Sequence, residues 1–238
     1  MKKKILLIVA LLFLVSTVLA QDDTKKDKST EEAVALAKKS LEAHGGDKFK
    51  SIQRIYMAGK VDVTASAMNQ ALPASFVQIV SGDKYRIEVD GGIVKFVQVF
   101  DGVATTTSPA RGFALPPVTE SGILLLRFAT KEGYKVGAVP DKKNGFRIES
   151  PAGYITDFFP DKKTGRIKSF EAHYSQGGKD LTTLVEIDKY EESNGVAVPS
   201  KFAQRFEGAG MTIYAEYKAA TIEVDGDISD ASFTVSGK

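Results

Sequence analysis

The feature that most constrains this chain is an alternation of period two that sets in after Phe49 and is cut at short intervals by turn signals. Tyr85, Ile87 and Val89 alternate with Lys84, Arg86 and Glu88, which is the pattern of a strand with one buried face. Ser81-Gly82-Asp83 precedes that strand, Asp90-Gly91-Gly92 follows it, and Asp101-Gly102 closes the next one, from Ile93 to Phe100. Turns of this chemistry join neighbouring antiparallel strands. The second half repeats the grammar: Pro160 to Gly165 joins a strand at Tyr154–Phe159 to one at Arg166–Tyr174, and Gly177-Gly178 turns into Leu181–Tyr190. Asn194-Gly195 and Gly208-Ala209-Gly210 make the last two turns. With no helix between consecutive strands, βαβ units and a parallel sheet are disfavoured and an antiparallel meander is expected.

Two segments depart from the alternation. Ser29 and Glu32 stand at capping-box spacing, Val34, Ala37 and Leu41 fall on one helical face, and Gly45-Gly46 ends the element near His44. The stretch from Ser108 to Asp141 is long for a connection in a compact domain. Thr119 and Glu120 can open a helix there that carries Ile123, Leu124, Leu125, Leu126 and Phe128. Being apolar on nearly every side, that helix must be buried, and the concave face of the sheet is the natural place for it. Several strands are also apolar on both faces, as with Phe96, Val97, Val99 and Phe100, or Phe76, Val77, Ile79 and Val80. Both sides of the sheet therefore need a cover. The expected fold is mainly β (α+β): a curved antiparallel half-barrel meander with an N-terminal helix and an inserted helical cover.

The N-terminus carries an export pattern. Lys2, Lys3 and Lys4 precede an apolar run from Ile5 to Val15, and Val18 and Ala20 occupy the −3 and −1 positions of a cleavage site before Gln21. The run is short for a membrane span. No cysteine follows it, which excludes a lipid-anchored product. The expected organisation is a signal peptide at 1–20, a polar leader at 21–28 and one half-barrel domain at 29–238, located in the periplasm. Loss of the three lysines lowers the basic count from 32 to 29 against 30 acidic residues, so the exported chain is nearly neutral and nothing in its charge favours nucleic acid. Zero cysteines leave stability to the hydrophobic core and remove thiolate chemistry.

Catalytic signals are sparse. His44 and His173 are the only histidines, and neither has metal-ligand spacing. His44 lies at a helix C-terminus, where the dipole favours a partly charged ring; His173 reads as a satisfied histidine in a strand. No GxSxG elbow supports a serine nucleophile. Carboxylate pairs such as Asp157 with Asp161 and Glu191 with Glu192 sit near turns and read as solvated surface groups. Asp225, Asp227 and Asp230 lack the glycine and further ligands of a calcium loop. The expectation is a chain that is not an enzyme and has neither cofactor nor metal. What remains is the greasy insertion, either plain core or the lining of an apolar cavity. The candidate lining residues are Phe113, Leu115, Ile123, Leu125 and Phe128 from the insertion, faced by Phe76, Phe96 and Val99 from the sheet.

The order of elements carries a resemblance: a helix ending AHGGDKFKSIQRI, a meander with an apolar interruption, then YEESNGVAVPSKF and a closing TIEVDGDISDASFTV. This resembles the LolA-like outer-membrane lipoprotein-sorting (lipoprotein carrier) family. The resemblance implies a half-closed antiparallel barrel covered by helices, and a periplasmic chaperone that shields lipid or lipoprotein acyl chains without cofactor or covalent chemistry. An outer-membrane acceptor or another envelope protein would be its partner. A non-catalytic envelope module that binds proteins, and a sensor of small apolar molecules, are the other readings of the residues; the first predicts a filled core.

Overall fold

The computed structural model describes residues 28–66, 70–92, 95–109, 115–176, 179–208 and 211–234. The expected signal peptide and most of the leader lie outside the described residues. Helix α1 occupies residues 28–43. Its buried face carries Ala33, Ala37, Ser40 and Leu41, so Ala33 takes the place expected of Val34, which is half-buried. The helix ends as its glycines require. Gly45 and Gly46 adopt φ values of 125° and 57°, and the Gly46 N–H donates back to the Leu41 carbonyl at 3.0 Å. A short helix α2, Asp47–Ser51, follows and buries Phe49.

Twelve strands come next: β1 (Arg54–Ala65), β2 (Leu72–Ser81), β3 (Lys84–Asp90), β4 (Lys95–Phe100), β5 (Thr105–Ser108), β6 (Lys135–Ala138), β7 (Phe146–Glu149), β8 (Ile155–Pro160), β9 (Ile167–Gln176), β10 (Lys179–Ser193), β11 (Val196–Gly208) and β12 (Met211–Val224). They form one sheet of order β5-β4-β3-β2-β1-β12-β11-β10-β9-β8-β7-β6. Every neighbouring pair is antiparallel, as the turn chemistry requires. The first strand pairs with the last, which leaves β5 and β6 as the two free edges of an open sheet. Those edges are consecutive in sequence. Were the sheet flat, eleven steps of about 4.8 Å would set them roughly 50 Å apart; curling brings them toward each other, and residues 115–134 of the connection lie beneath the concave face.

Bulges supply bends in the sheet. The register shifts between Ala58 and Gly59 on β1, around Ile187 to Tyr190 on β10, and between Phe159 and Pro160 on β8. Prolines, which cannot donate to a ladder, sit at these places: Pro160 at one shift and Pro199 opposite Tyr190 at another. At Gly59 the β12 backbone comes so close that a Cβ would meet the Lys218 carbonyl oxygen, with the Ala219 Cα at 2.8 Å.

The main core lies on the concave face. Val61, Val80, Tyr85, Phe146, Ile148 and Phe158 from the sheet pack with Leu41 of α1 and with Leu124, Leu125 and Leu126 of the insertion. The helix expected in the insertion is present and opens later than Thr119, as a 3-10 helix, Gly122–Phe128. Gly122 opens it at φ 64° while its N–H donates to Thr156 Oγ1 at 3.1 Å, and a Cβ there would press on the Phe170 ring at 3.0 Å. The tight start and the ring beneath it leave little room for the wider α-helical turn. A second cluster sits on the outer face of β1 to β4, where Ile79 and Val99 pack under Phe233 of a C-terminal 3-10 helix, Asp230–Phe233. This segment is the second cover that the doubly apolar strands demanded. Arg86 donates to the Ser232 and Thr234 carbonyls and Lys84 pairs with Asp230 at 2.9 Å, which fastens it.

His44 corrects the expectation of a charged ring at the helix end. It is fully buried among Phe49 and Tyr190, and its backbone carbonyl accepts from the Ala197 N–H of the Asn194-Gly195 hairpin at 3.0 Å. Desolvation, partly offset by the hydrogen bond from Nδ1 to the Ser40 carbonyl, lowers its pKa from 6.5 to about 4. Burial outweighs the helix end, and the imidazole is neutral.

Two predictions follow from this packing. Gly59→Ala is expected to cost more than about 2 kcal/mol, read as a lower urea midpoint, because the clash is with backbone that cannot turn away. For His44 the unfolded chain binds the proton more tightly, so stability is complete above pH 6.5 and is lost as pH falls toward 4. The loss amounts to roughly 3 kcal/mol. A stability profile of His44→Gln that kept the same slope across this window would refute the assignment.

Candidate functional site

The insertion does not fill the hollow of the sheet. Between it and the concave face lies an apolar cavity of about 150 Å3, floored by strands β1, β2, β3 and β9 to β12. Met57, Phe76, Ile87, Phe170, Val185 and Phe202 are among its floor residues, and Leu115, Pro116, Val118, Ile123 and Leu124 roof it. The cavity is elongated. Gln78 lines one part in register with Met57, whereas Gln204 lines another in register with Ala215 and, through it, Val63. Those rows are six residues apart on β1, about 20 Å along the strand.

The roof is a strap held by polar pins. Gln98, fully buried on β4, accepts from the Leu115 N–H at 2.7 Å and donates to the Leu115 carbonyl at 2.8 Å and to the Tyr85 hydroxyl at 2.9 Å. Thr156 on β8 holds the Gly122 N–H, as described above. Arg127, only 8% exposed, donates to the Ile52 carbonyl at 2.9 Å and to the Leu124 carbonyl at 3.2 Å while lying over the Phe128 ring. Burial lowers its pKa, with Tyr134 and Asp225 acting against the shift. Between the first two pins, the strap makes only a local turn, in which Glu120 N–H and Ser121 Oγ both donate to the Pro117 carbonyl.

Three aromatic rings meet on the floor. Tyr217 stacks on Phe202 at 4.6 Å and meets Phe76 edge-on at 5.1 Å. Burial pushes the Tyr217 phenol well above its ordinary range, so it stays neutral. Gln78 and Gln204 are half-buried, and their side chains make no hydrogen bond among the described residues. The hollow is therefore apolar with two free amides near its ends, a surface that can hold a hydrocarbon body and satisfy a carbonyl or hydroxyl group.

The sequence candidates divide. Phe76, Leu115 and Ile123 line the cavity. Phe96 shares the concave face with Gln98 and Phe100 by alternation, yet it stands outside the lining. Val99 is on the opposite face, in the cluster under Phe233, because alternation along β4 turns it away from Gln98. Leu125 is fully buried in the core, and Phe128 stacks on Tyr134 at 4.7 Å; neither reaches the cavity, since the 3-10 turn directs them elsewhere. Phe113 lies outside the described residues. Met57, Tyr217, Gln78 and Gln204 were missed in the sequence. Gln98 left a signal there, a lone amide between Val97 and Val99 that had to find a partner once buried.

The acidic groups that the sequence offered as candidates, Asp157, Asp225, Asp227 and Asp230, have structural partners. Asp157 is no turn residue: it is mid-strand on β8, buried, and bound by Arg147 through bonds of 2.6 and 2.8 Å. Burial acts to raise its pKa, but the bonds from Arg147 and His173 outweigh that and hold the carboxyl below its ordinary range. Its ligand atoms lie within 4.8 Å of those of Glu171 and His173, a spacing open to a metal ion. However, Arg147 occupies Asp157, and Lys142 occupies Glu171 at 2.7 Å, so the group is an ion network. Asp225 accepts from the Gln53 and Arg54 N–H groups, Asp227 lies 3.8 Å from Arg54, and Asp230 holds Lys84.

No family profile matches the sequence, and no curated protein is similar to it. Among solved structures, the chain is similar to a DUF1329 family protein from Desulfovibrio piger, with 11% identity and a TM-score of 0.49 over 87% of this chain and 97% of that one. It is also similar to a LolA superfamily protein from Nitrosomonas europaea, at 10% identity and a TM-score of 0.49 over 85% and 97% of the two chains. A domain from Vibrio parahaemolyticus described as an outer membrane lipoprotein-sorting protein follows at 10% identity and a TM-score of 0.45 over 86% and 97%. The half-barrel described here rests on this chain's own strand pairing.

Leu125→Asp is expected to abolish folding, read by loss of the cooperative thermal transition, because an unpaired carboxylate at a fully buried site costs more than about 4 kcal/mol.

Proposed function

We propose that this chain is a non-catalytic carrier of apolar cargo, exported to the bacterial periplasm, that shields a lipid acyl chain or the acyl group of a lipidated protein between sheet and strap. The observation that carries this reading is an elongated apolar cavity, left open beneath a strap that polar bonds pin at its ends. A module built only to bind proteins on its outer surface has no use for such a hollow. Export is supported by the three lysines, apolar run and small residues of positions 1–20. An outer-membrane acceptor or another envelope protein would take the cargo onward.

Each methylene removed from water contributes about 0.8 kcal/mol, so a chain of modest length binds firmly. The volume of the cavity sets a limit on how the chain enters. An apolar cavity of about 150 Å3 accepts a ring the size of benzene without change. A longer chain must run out through the open side or lift the strap between Leu115 and Gly122, whose few interior bonds offer little resistance. The same volume supports a second reading, a sensor of a small apolar molecule.

The test is native mass spectrometry of the protein taken from its own cell envelope without detergent, followed by lipid extraction. A near-stoichiometric acyl species is the expected result, and a small apolar compound in its place decides for the sensor. A bare mass, with no uptake of added fatty acid, overturns both. Ile123→Trp, which fills the hollow from the strap, is expected to weaken fatty-acid uptake about tenfold or more, a change of roughly 1.4 kcal/mol, while the protein stays folded.

A further inference from the structure

The outer face of the sheet has a pattern that register alone reveals. Lys60 on β1 stands opposite Lys218 on β12, Lys218 opposite Lys201 on β11, and Lys201 opposite Lys189 on β10. These exposed lysines form an unbroken basic row across neighbouring strands. Two residues along the strands, about 7 Å away, runs an acidic row. Asp62 stands opposite Glu216, Glu216 opposite Ala203, and Ala203 opposite Glu186. All are exposed.

Like charges placed directly opposite across strands are destabilising. The bulge at Asp188 relieves part of this, because it sets Asp188 against Lys201 at 2.5 Å, and Glu191 takes Lys189 at 3.0 Å. Lys60, Lys218, Asp62, Glu216 and Glu186 have no ion pair among the described residues. The rows could have been mixed so that each strand answered its neighbour. Instead, apart from Asp188 at the bulge, each sign is collected into its own line, and the face is close to neutral as a whole.

We propose that this striped face binds a second copy of the same chain. A two-fold axis lying in the face, perpendicular to the strands and midway between the rows, exchanges the rows while keeping each strand above its counterpart. Lys60 then meets the second copy's Asp62, Lys218 its Glu216, and Lys189 its Glu186, and every pair occurs twice. With this axis the strands of the two copies run antiparallel to one another, within the roughly 30° over which aligned sheet faces pack. An anionic lipid surface fits less well, because the acidic row would lie against it.

Sedimentation velocity on the wild-type protein tests this. Dimers are expected at about 20 mM salt and monomers at about 500 mM, because exposed pairs are screened. Lys218→Glu and Glu216→Lys are each expected to weaken the dimer about tenfold or more, since each sets like charges together. The double exchange restores complementarity at unchanged net charge and should restore the dimer. Thermal unfolding of each variant confirms that it is folded, and reversal of Lys218 relieves repulsion from Lys60 and Lys201 in the monomer. A wild type that is monomeric at low salt overturns the proposal, as does a dimer indifferent to the reversals. A monomer that binds vesicles of phosphatidylglycerol through Lys218 assigns the row to an anionic surface and overturns it equally.

Discussion

The pairing of β1 with β12 is the constraint on which the rest depends. It joins two runs of hairpins into one sheet and thereby sends β5 and β6, neighbours in the chain, to opposite edges. The connection between them has to traverse the whole width. Curling shortens that path across the concave side, and the described part of the connection packs there. The hollow, its roof and the burial of the greasy insertion are consequences of one topological fact. Gly59 serves that pairing at its tightest point, where the β12 backbone occupies the space of a side chain.

Inside the hollow, apolar burial and polar bonding divide the work. Leu124, Leu125 and Leu126 supply the hydrophobic drive, which has no direction and would tolerate many placements of the strap. Direction comes from the buried groups that need partners: Gln98, Thr156 and Arg127 each bind backbone of the strap or of the segment beside it. An unmet amide or guanidinium in that setting is costly, so alternative placements are penalised more than the native one is rewarded. The part of the strap between the Gln98 and Thr156 pins has no such partner among the described residues and roofs the cavity. Order is concentrated where the strap must stay, and bonds are few where cargo would pass.

Much of this was legible in the sequence because hairpin chemistry is local. Asn194-Gly195 adopts the positive φ values of 52° and 75° that a two-residue turn needs, and the meander follows from such turns. Helix α1 was legible for the same reason. The two motifs AHGGDKF and SNGVAVP even touch, through the bond from Ala197 to His44, although nothing local required it. What stayed hidden depends on distant partners. The neutrality of His44 comes from Phe49 and Tyr190 closing over it. The burial of Asp157 comes from Arg147 on the adjacent strand. The choice of 3-10 over α geometry comes from Gly122 held between Thr156 and Phe170. The cavity lining was partly legible: on β2 the sequence named Phe76 and passed over the polar Gln78 on the same face, and on β4 both faces are apolar, so period two alone could not say whether Phe96 or Val99 looked inward.

The two halves of the outer face show why such ambiguity arises. On β1, β2 and β4 the outward positions Tyr56, Val77, Ile79, Val97 and Val99 are apolar, Arg86 of β3 stands between Ile79 and Val99, and the chain's own C-terminal segment packs against this surface. On β10 to β12 and the adjoining part of β1 most outward positions are charged, Ala203 and Tyr214 being exceptions, and none of the described residues lies over them. The same sheet thus carries one outer surface finished by its own chain and another presented to solvent. An apolar outward face has to be sealed by a segment that folds with it, since exposure would invite aggregation along the strands. A charged outward face needs no seal, and it retains the freedom to order its charges for recognition, which is where the segregated lysine and carboxylate rows lie.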